Sequence, residues 1–371
     1  MSTTPRRSGT PDYHLDAYDF DLPETLVAQE PAAERDQSRL LVVGGRADQG
    51  PSTRLTDSVF SALPRFLEKG DVLVLNDTRV FPARLVGRRA TGGRAELLLI
   101  EAQGDGTWTA LARPGKKLNV GATVSFGGDE EPVLTATVVE VGTGGRRRVS
   151  FAHGFASLDA AIDAVGRMPL PPYIRRPEPQ AVDFERYQTV YAQHRGSVAA
   201  PTAGLHFTPD VLDACGARGI EVARLTHHVG YGTFEPVRVD DLRDHRVAAE
   251  RFTLSDAEAA TIETARRRGG RVIAVGTTST RALESAVDER GRLVPGTRET
   301  SLTITPGYRF RAIDGLVTNF HLPRSSLLVL VSALAGRSRI LEAYRHAVAQ
   351  EYRFYSYGDA MLILPERPRS E

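Results

Sequence analysis

VAAPTAGLHFT, residues 198–208, is a run of small residues that ends in a histidine. Pro201 fixes a backbone dihedral angle, and Gly204 lets the backbone approach a ligand closely. His206 is the titratable group of the run, and Thr208 suits the N-cap of a following helix. The pattern predicts an anchored binding loop, including Thr202, although loops of this composition also simply turn corners.

Three apolar runs typical of buried strands each end in a polar cluster. The carboxyl ends of parallel strands meet at one edge of a sheet, so these clusters are expected to share one crevice. The clusters comprise Asn76, Asp77, Thr78 and Arg79; Thr277, Thr278, Ser279 and Arg281; and Asn319 and His321. For the first cluster, an Asx turn at Asp77 is the alternative.

The second of these clusters also opens a predicted helix, which makes it a generic anion-binding geometry. It lacks the Gly-x-x-x-x-Gly-Lys pattern of a phosphate loop. A carboxylate or a ribose is therefore as suitable a guest as a phosphate.

A further predicted strand, residues 220–229, carries His227 and His228 and runs into a Gly-x-Gly turn. Adjacent residues of a strand face opposite sides, so one histidine is expected to pack inward. The other would stand beside the exposed backbone of the turn, where Gly230, Gly232 and Phe234 complete a polar-ligand site.

The sequence predicts two domains. Residues 12–84 and 166–371 are expected to form a discontinuous α/β catalytic domain with a mostly parallel sheet and flanking helices, including a helix at 56–68. Short β-type runs broken by glycines predict an inserted antiparallel β-barrel at 85–165. Residues 1–11 are expected to be a disordered tail, and the proline-rich connector after 166 displays Tyr173.

Composition restricts the class of protein. The 371 residues include 47 Lys+Arg and 46 Asp+Glu, so a nucleic-acid contact must depend on local arginines such as those of the barrel, which are more often a solvated face. Cys215 is the single cysteine, which excludes an internal disulfide and a cysteine zinc cluster. Without an apolar signal or spanning run, a cytoplasmic protein without membrane contact is expected.

Eight long strings in order resemble the S-adenosylmethionine:tRNA ribosyltransferase-isomerase family of the queuosine pathway. The resemblance runs from about residue 18 to 364. The strings are NDTRVFPARL from Asn76, MPLPPYI from Met168, YQTVYA from Tyr187, VAAPTAGLHF from Val198, HVGYGTFEPVRV from His228, VGTTSTRALES from Val275, VTNFHLPRSSLLVLVSALAG from Val317 and YRFYSYGDAM from Tyr352.

The resemblance implies transfer and isomerisation of the ribosyl part of S-adenosylmethionine onto 7-aminomethyl-7-deazaguanine at the wobble position of a tRNA. The product would be epoxyqueuosine, with adenine and methionine released. S-adenosylmethionine is then a substrate, no other cofactor and no metal is expected, and the protein is expected to be a monomer.

That chemistry suggests roles for the predicted site residues. A base must take a C5′ proton beside the sulfonium, for which His206 or His228 is suited, and His321 or Asp77 could protonate adenine as it leaves. The methionine carboxylate would sit on the helix that starts at residue 277, with Arg281 nearby. Stacking on the bases is expected from Tyr173, Phe207 and Phe234.

The chain departs from the family pattern at three places. Arg195 precedes Gly196 where a proline is usual, Ala248 stands where many members have histidine, and His227 replaces an apolar residue. Two other classes stay open: another nucleotide-handling enzyme or hydrolase that uses the same histidine-lined crevice, and a non-enzymatic RNA-binding module.

Overall fold

The computed structural model describes residues 12–44, 55–128, 132–176, 180–234 and 236–364, so the predicted tail at 1–11 lies outside the described residues. The strands are β1 (Arg39–Val43), β2 (Leu55–Val59), β3 (Val72–Asn76), β4 (Thr78–Val80), β5 (Arg84–Arg89), β6 (Arg94–Ala102), β7 (Trp108–Arg113), β8 (Thr123–Phe126), β9 (Leu134–Val141), β10 (Arg146–His153), β11 (His194–Ser197), β12 (Glu221–His227), β13 (Glu250–Leu254), β14 (Val272–Val275), β15 (Gly296–Thr300), β16 (Gly315–Asn319) and β17 (Ala360–Ile363). The α-helices are α1 (Leu158–Val165), α2 (Ala181–Arg186), α3 (Pro209–Ala217), α4 (Asp256–Arg267), α5 (Thr277–Ser285), α6 (Ser326–Ala335) and α7 (Arg337–Ala349).

Within the described ranges, a nine-stranded sheet organises the α/β part, in the order β15-β13-β12-β3-β14-β16-β17-β1-β2. Its centre is parallel, since β3 pairs in parallel with β12 and β14, and β14 with β16. The outer pairs are mainly antiparallel, which makes the sheet mixed. The α/β class is confirmed, and the parallel block lies at its centre.

Strand alternation divides the core of this sheet into two layers. Val72 and Val74 of β3 pack in the cluster that includes side chains of α4 to α7. Leu73 and Leu75 face the other side, where α3 and a 3-10 helix at Phe60–Phe66 cover them. Because both faces are covered, the central strands are apolar throughout, as expected for a buried parallel sheet.

The second unit is a closed barrel in which β10-β7-β6-β5-β8-β9 are connected by antiparallel pairs. Alternating side chains, among them Leu97, Leu99 and Val124, fill its interior, and α1 packs onto it through Ala161 and Ile162. The predicted antiparallel barrel is confirmed. Its strands occupy residues 84–153 of the chain.

The helix predicted at 56–68 is wrong. Leu55–Val59 pairs antiparallel with β1 as an edge strand, and Phe60–Phe66 forms a 3-10 helix that contains Pro64. The β-branched residues at 56 and 59 fit a strand, and a proline inside a helix removes a backbone hydrogen bond.

No helix among the described residues is both long and apolar enough to cross a membrane.

A buried ion pair joins the amino ends of two central strands. Asp71, which precedes β3, accepts hydrogen bonds from the Arg271 backbone at 2.9 Å and from its Nη2 at 2.6 Å. It also accepts from the Glu68 backbone at 2.8 Å. This carboxylate is 2% exposed, so it needs all of these donors.

Replacing Asp71 with alanine is expected to lower the free energy of unfolding by about 3 kcal/mol, because Arg271 and two backbone amides lose their acceptor. Urea denaturation followed by circular dichroism measures the change. Glu289→Ala, at an exposed position, is the control and should have little effect. Equal stability of Asp71→Ala and the parent chain would contradict this account of how the strands are joined.

Candidate active site

A crevice opens where the predicted binding loop meets the carboxyl ends of β14 and β16. Thr202, Thr277, Thr278, Asn319 and His321 line it, so the structure brings these predicted site residues together. Its other lining residues are mostly small or apolar, and they are Ala200, Pro201, Ala203, Val229, Gly276, Thr318, Phe320, Leu327, Tyr355 and Ser356. The enclosed part measures about 60 Å³, enough for one end of a ligand.

A directional line of hydrogen bonds supports the crevice from behind. The Thr202 hydroxyl donates to Asn319 Oδ1 at 2.8 Å, and Asn319 Nδ2 lies 3.0 Å from His206 Nε2. His206 Nδ1 lies 2.7 Å from the Ser38 hydroxyl, which donates to the Arg35 carbonyl at 3.2 Å. With the Asn319 amide donating, His206 must accept at Nε2 and donate at Nδ1.

His206 is therefore placed behind the crevice wall, with both ring nitrogens occupied. It is 4% exposed and packs against Phe60, with ring centroids 5.1 Å apart. Burial, with a smaller effect of Arg353 and Arg35, lowers its pKa to about 3. The geometry gives His206 a positioning function: it fixes the Asn319 amide, which in turn fixes the Thr202 hydroxyl.

His321 is the histidine that lines the crevice. Its Nε2 lies 2.9 Å from the Thr318 hydroxyl, and its backbone amide donates to the Tyr344 hydroxyl at 2.9 Å. Burial lowers its pKa to about 3, so the ring is neutral at physiological pH. A neutral imidazole can accept a proton and, because its pKa is low, the charged ring returns that proton readily.

The N-terminus of α5 forms the opposite wall. Gly276 is the N-cap with φ 90°, a conformation that glycine adopts without strain, and it has no side chain to satisfy the first amides of the helix. The Ser279 hydroxyl donates to the Val275 carbonyl at 2.7 Å, so it is turned away from a ligand. Thr277 and Thr278 can present their amides to an anion, while the Thr278 hydroxyl also accepts from Asn76 Nδ2 at 3.5 Å.

Arg281 lies further along α5 and contacts a different group. Its Nη1 donates to Glu250 Oε2 at 2.6 Å and its Nε to the Leu302 carbonyl at 2.9 Å. His227 Nε2 lies 3.2 Å from the same Glu250 oxygen, and Gly230 donates its backbone N–H to Oε1 at 2.9 Å. Although burial raises it, the pKa of Glu250 falls to about 2 because of these partners. The Arg281 guanidinium therefore binds Glu250 and does not point to the anion position at the start of α5.

Glu250 and Arg281 line a second small cavity of about 40 Å³, together with Gly232 and Ala248. Leu327 lines both this cavity and the crevice. The two spaces are therefore neighbours.

The cluster after β3 turns mostly away from the crevice. Asp77 accepts from the Thr226 hydroxyl at 2.7 Å and lies 3.6 Å from His194 in a groove on another side of the sheet. Asn76 bonds the backbone N–H and carbonyl of His227, each at 2.9 Å, which ties β3 to β12.

Thr78 and His228 form a separate pair, with the Thr78 hydroxyl 2.9 Å from His228 Nδ1. Gly196 lies flat against this imidazole, since an added Cβ would be 2.7 Å from the ring. Burial, followed by the charges of His227 and Arg251, lowers the pKa of His228. Arg79 is exposed on β4. His228 and Asp77 are thus not among the residues that line the crevice with His321.

The predicted aromatic and glycine contacts have mostly packing functions. Phe207 is fully buried against Phe60, and a Cβ on Gly204 would lie 2.2 Å from the Tyr191 hydroxyl. Tyr173 packs edge-on against Tyr355 with centroids 4.0 Å apart, at the back of the crevice. The side chain of Phe234 lies outside the described residues.

Sequence reasoning missed several crevice residues. Tyr355 and Ser356 reach it from the segment before β17, and Tyr355 adopts φ 75°, unusual for a non-glycine residue. The string YRFYSYGDAM contained them, but nothing in its pattern showed which ring faces a ligand. Thr318 and Phe320 lie at the end of an apolar strand, and nothing in the sequence there indicated that they line the crevice.

A mixed α/β sheet with a polar crevice at the ends of its parallel strands, plus an inserted barrel, defines a ligand-binding α/β enzyme class. Residues 15–363 match the family described as Queuosine biosynthesis protein. The chain belongs to this family, as its eight strings predicted, and it is an enzyme.

Similar proteins support the assignment over nearly the whole chain. An S-adenosylmethionine:tRNA ribosyltransferase-isomerase of Parvibaculum lavamentivorans is 52% identical over 93% of this chain and 97% of its own. One of Acaryochloris marina is 50% identical over 96% and 95%. The crystal structure of S-adenosylmethionine tRNA ribosyltransferase from Thermotoga maritima is 35% identical, with a TM-score of 0.51 over 94% of this chain and all of the other.

The buried histidines predict how stability depends on pH. The unfolded chain binds a proton at each imidazole below about pH 6.5, whereas native His206 stays neutral down to about pH 3. Stability is therefore complete above pH 6.5 and falls with decreasing pH, by about 1.4 kcal/mol per unit for each such histidine. In His206→Gln, the slope of unfolding free energy between about pH 6 and 4 should decrease by that amount.

His153→Gln, on the exposed end of β10, is the matched control and leaves the slope unchanged. Denaturant titrations at several pH values measure it. An unchanged slope in His206→Gln would show that this imidazole is protonated in the folded protein.

Proposed function

We propose that this enzyme transfers and isomerises the ribosyl moiety of S-adenosylmethionine onto 7-aminomethyl-7-deazaguanine at the tRNA wobble position. The products are epoxyqueuosine-tRNA, adenine and methionine. The observation that carries the proposal is the convergence of Thr202, Thr278, Asn319 and His321 in one crevice, in a chain about half identical to ribosyltransferase-isomerases over nearly its full length.

The start of α5 is proposed as the seat of the methionine carboxylate. Thr277 and Thr278 line the crevice where the helix dipole is positive and the first amides lack acceptors within the helix. A carboxylate bound there fits the enclosed volume of about 60 Å³, so the sulfonium and ribose extend toward His321 and Asn319. Arg281 contributes through Glu250, not by direct contact.

His321 is proposed as the group that moves a proton during the reaction. It lines the crevice, and burial, which lowers its pKa, keeps it in the neutral form that can accept the C5′ proton acidified by the sulfonium. The imidazolium formed is strongly acidic, so it can pass a proton to adenine as the base leaves. His206 supports this step by holding Asn319.

A hydrolase with His206 as its base has less support, because both nitrogens of that ring are engaged by Ser38 and Asn319. We also propose that the protein is cytoplasmic and monomeric. S-adenosylmethionine acts as the ribosyl donor, and no other cofactor is proposed.

The decisive assay measures free adenine released from S-adenosylmethionine, with and without tRNA that carries 7-aminomethyl-7-deazaguanine, while mass spectrometry follows the tRNA. Adenine release that needs this tRNA, with a ribosyl-derived mass gain, supports the proposal. A folded preparation that releases no adenine with it refutes the proposal.

His321→Gln is expected to lower kcat about a hundredfold or more, since it removes a proton-transfer group while keeping the size of the side chain. The KM for S-adenosylmethionine should change little. His206→Gln is the comparison: it loosens Asn319 and should raise that KM more than it lowers kcat. Steady-state kinetics with modified tRNA separate the two, and a His321→Gln variant with normal kcat would exclude the role of this imidazole.

A further inference from the structure

A cavity lies between the barrel and the proline-rich connector. It measures about 320 Å³, within the size range of small-molecule sites, which begins at about 300 Å³. Leu98 and Leu111 of the barrel face Pro169, Leu170 and the prolines that follow them across it. Such flat apolar walls suit a planar ring.

Four guanidinium groups and one carboxylate line the same cavity. Three of the guanidiniums are paired with carboxylates: Arg84 with Glu96, Arg175 with Glu24 and Arg176 with Asp183. Arg176 donates from Nη2 to Asp183 at 2.8 Å, but its buried Nε and Nη1 have no hydrogen-bond partner among the described residues. The buried Nε of Arg84 also has no hydrogen bond, and Glu96 Oε1 lies 3.6 Å from it. Unsatisfied guanidinium donors at a cavity wall indicate an anionic guest.

The carboxylate, Glu96, lies between two of these arginines. Arg84 Nε is 3.6 Å from its Oε1, and Arg113 is its direct partner across the β6–β7 pair. Cross-strand partners have Cβ atoms roughly 5 Å apart. Carboxylate oxygens accept hydrogen bonds, which suits the N1–H and 2-amino donors of a guanine-type base.

Two chain segments connect this cavity to the crevice. Val198 lines the cavity and Ala200 the crevice, and Tyr231 and Val229 make the same connection on the other side. Two residues span at most about 7 Å. The cavity and the crevice are therefore adjacent along both segments.

We propose that this cavity receives the acceptor nucleotide of the tRNA, turned out of its loop. The ring lies between the leucines and prolines, Glu96 accepts from its guanine-type donor edge, and Arg84, Arg113 and Arg176 hold the adjoining phosphates. An enzyme that acts on a base of a folded nucleic acid must expose that base, and arginine pairs well with phosphate. The inference rests on the proposed function and adds the place and the recognition of the acceptor.

Binding of an anticodon stem-loop RNA with guanine at the wobble position tests the phosphate contacts, measured by fluorescence anisotropy over a range of salt concentrations. Arg113→Gln and Arg176→Gln should each weaken binding about tenfold and reduce the slope of log K against log salt by about 0.7. Arg94→Gln, an exposed arginine at the start of β6, is the matched control and should stay within about twofold. If Arg94→Gln weakens binding as much as the cavity variants do, the proposal is overturned. It is also overturned if Arg113→Gln and Arg176→Gln leave binding unchanged.

A second measurement tests base recognition and does not depend on how well a variant tolerates the loss of charge. The parent enzyme should bind the guanine stem-loop about tenfold more tightly than one with inosine, which lacks the 2-amino donor. Glu96→Gln should lose most of this preference, whatever its absolute affinity. An unaltered guanine-to-inosine ratio in Glu96→Gln would refute the assignment of this side chain.

Neither measurement uses S-adenosylmethionine or turnover, so the two proposals can fail separately. Absence of adenine release with normal dependence of RNA binding on Arg113 would reject the proposed reaction alone. Adenine release with RNA binding that is indifferent to Arg113, Arg176 and Glu96 would reject the cavity as the acceptor site and leave the reaction established.

Discussion

The hydrogen bonds from Thr202 through Asn319 and His206 to Ser38 are the constraint on which the crevice depends. They join three parts of the chain that are remote in sequence: the segment before β1, the 198–208 loop and the end of β16. Each group donates to the next, from the Thr202 hydroxyl through the Asn319 amide and the His206 ring to the Ser38 hydroxyl, so the line runs in a single direction. The orientation of the Asn319 amide, and with it the polar wall of the crevice, is thereby fixed by residues that no ligand touches.

Close packing behind the 198–208 loop explains why this part of the chain is built of small residues. Gly204 must admit the Tyr191 ring and Gly196 the His228 ring, because a Cβ at either position would overlap its neighbour. These glycines bring aromatic and imidazole rings against the backbone. Ala200, Pro201 and Ala203, by contrast, do border the crevice. Close packing behind the loop and access in front of it therefore require the same composition.

The sequence was informative where a structural rule fixes position, and silent where tertiary packing decides it. Apolar runs followed by polar clusters predicted the α/β sheet, and the carboxyl-end rule grouped Thr278 with Asn319 and His321. It failed to separate Asp77 from them, because the direction of a side chain just past a strand depends on the local pleat. It also could not show that His206 is buried, since Phe60 and Ser38 reach it from far upstream.

His227 and Ala248 meet at one carboxylate. His227 Nε2 lies 3.2 Å from Glu250 and its Nδ1 3.0 Å from the Thr278 carbonyl, so each ring nitrogen faces an acceptor and is placed to donate. Ala248 lines the small cavity beside the same Glu250. The imidazole that contacts Glu250 is that of His227 in β12. Its contact with the Thr278 carbonyl joins it to the wall of the crevice. Because Glu250 also holds Gly230 and Arg281, the second cavity and the start of α5 are set by a single buried charge cluster.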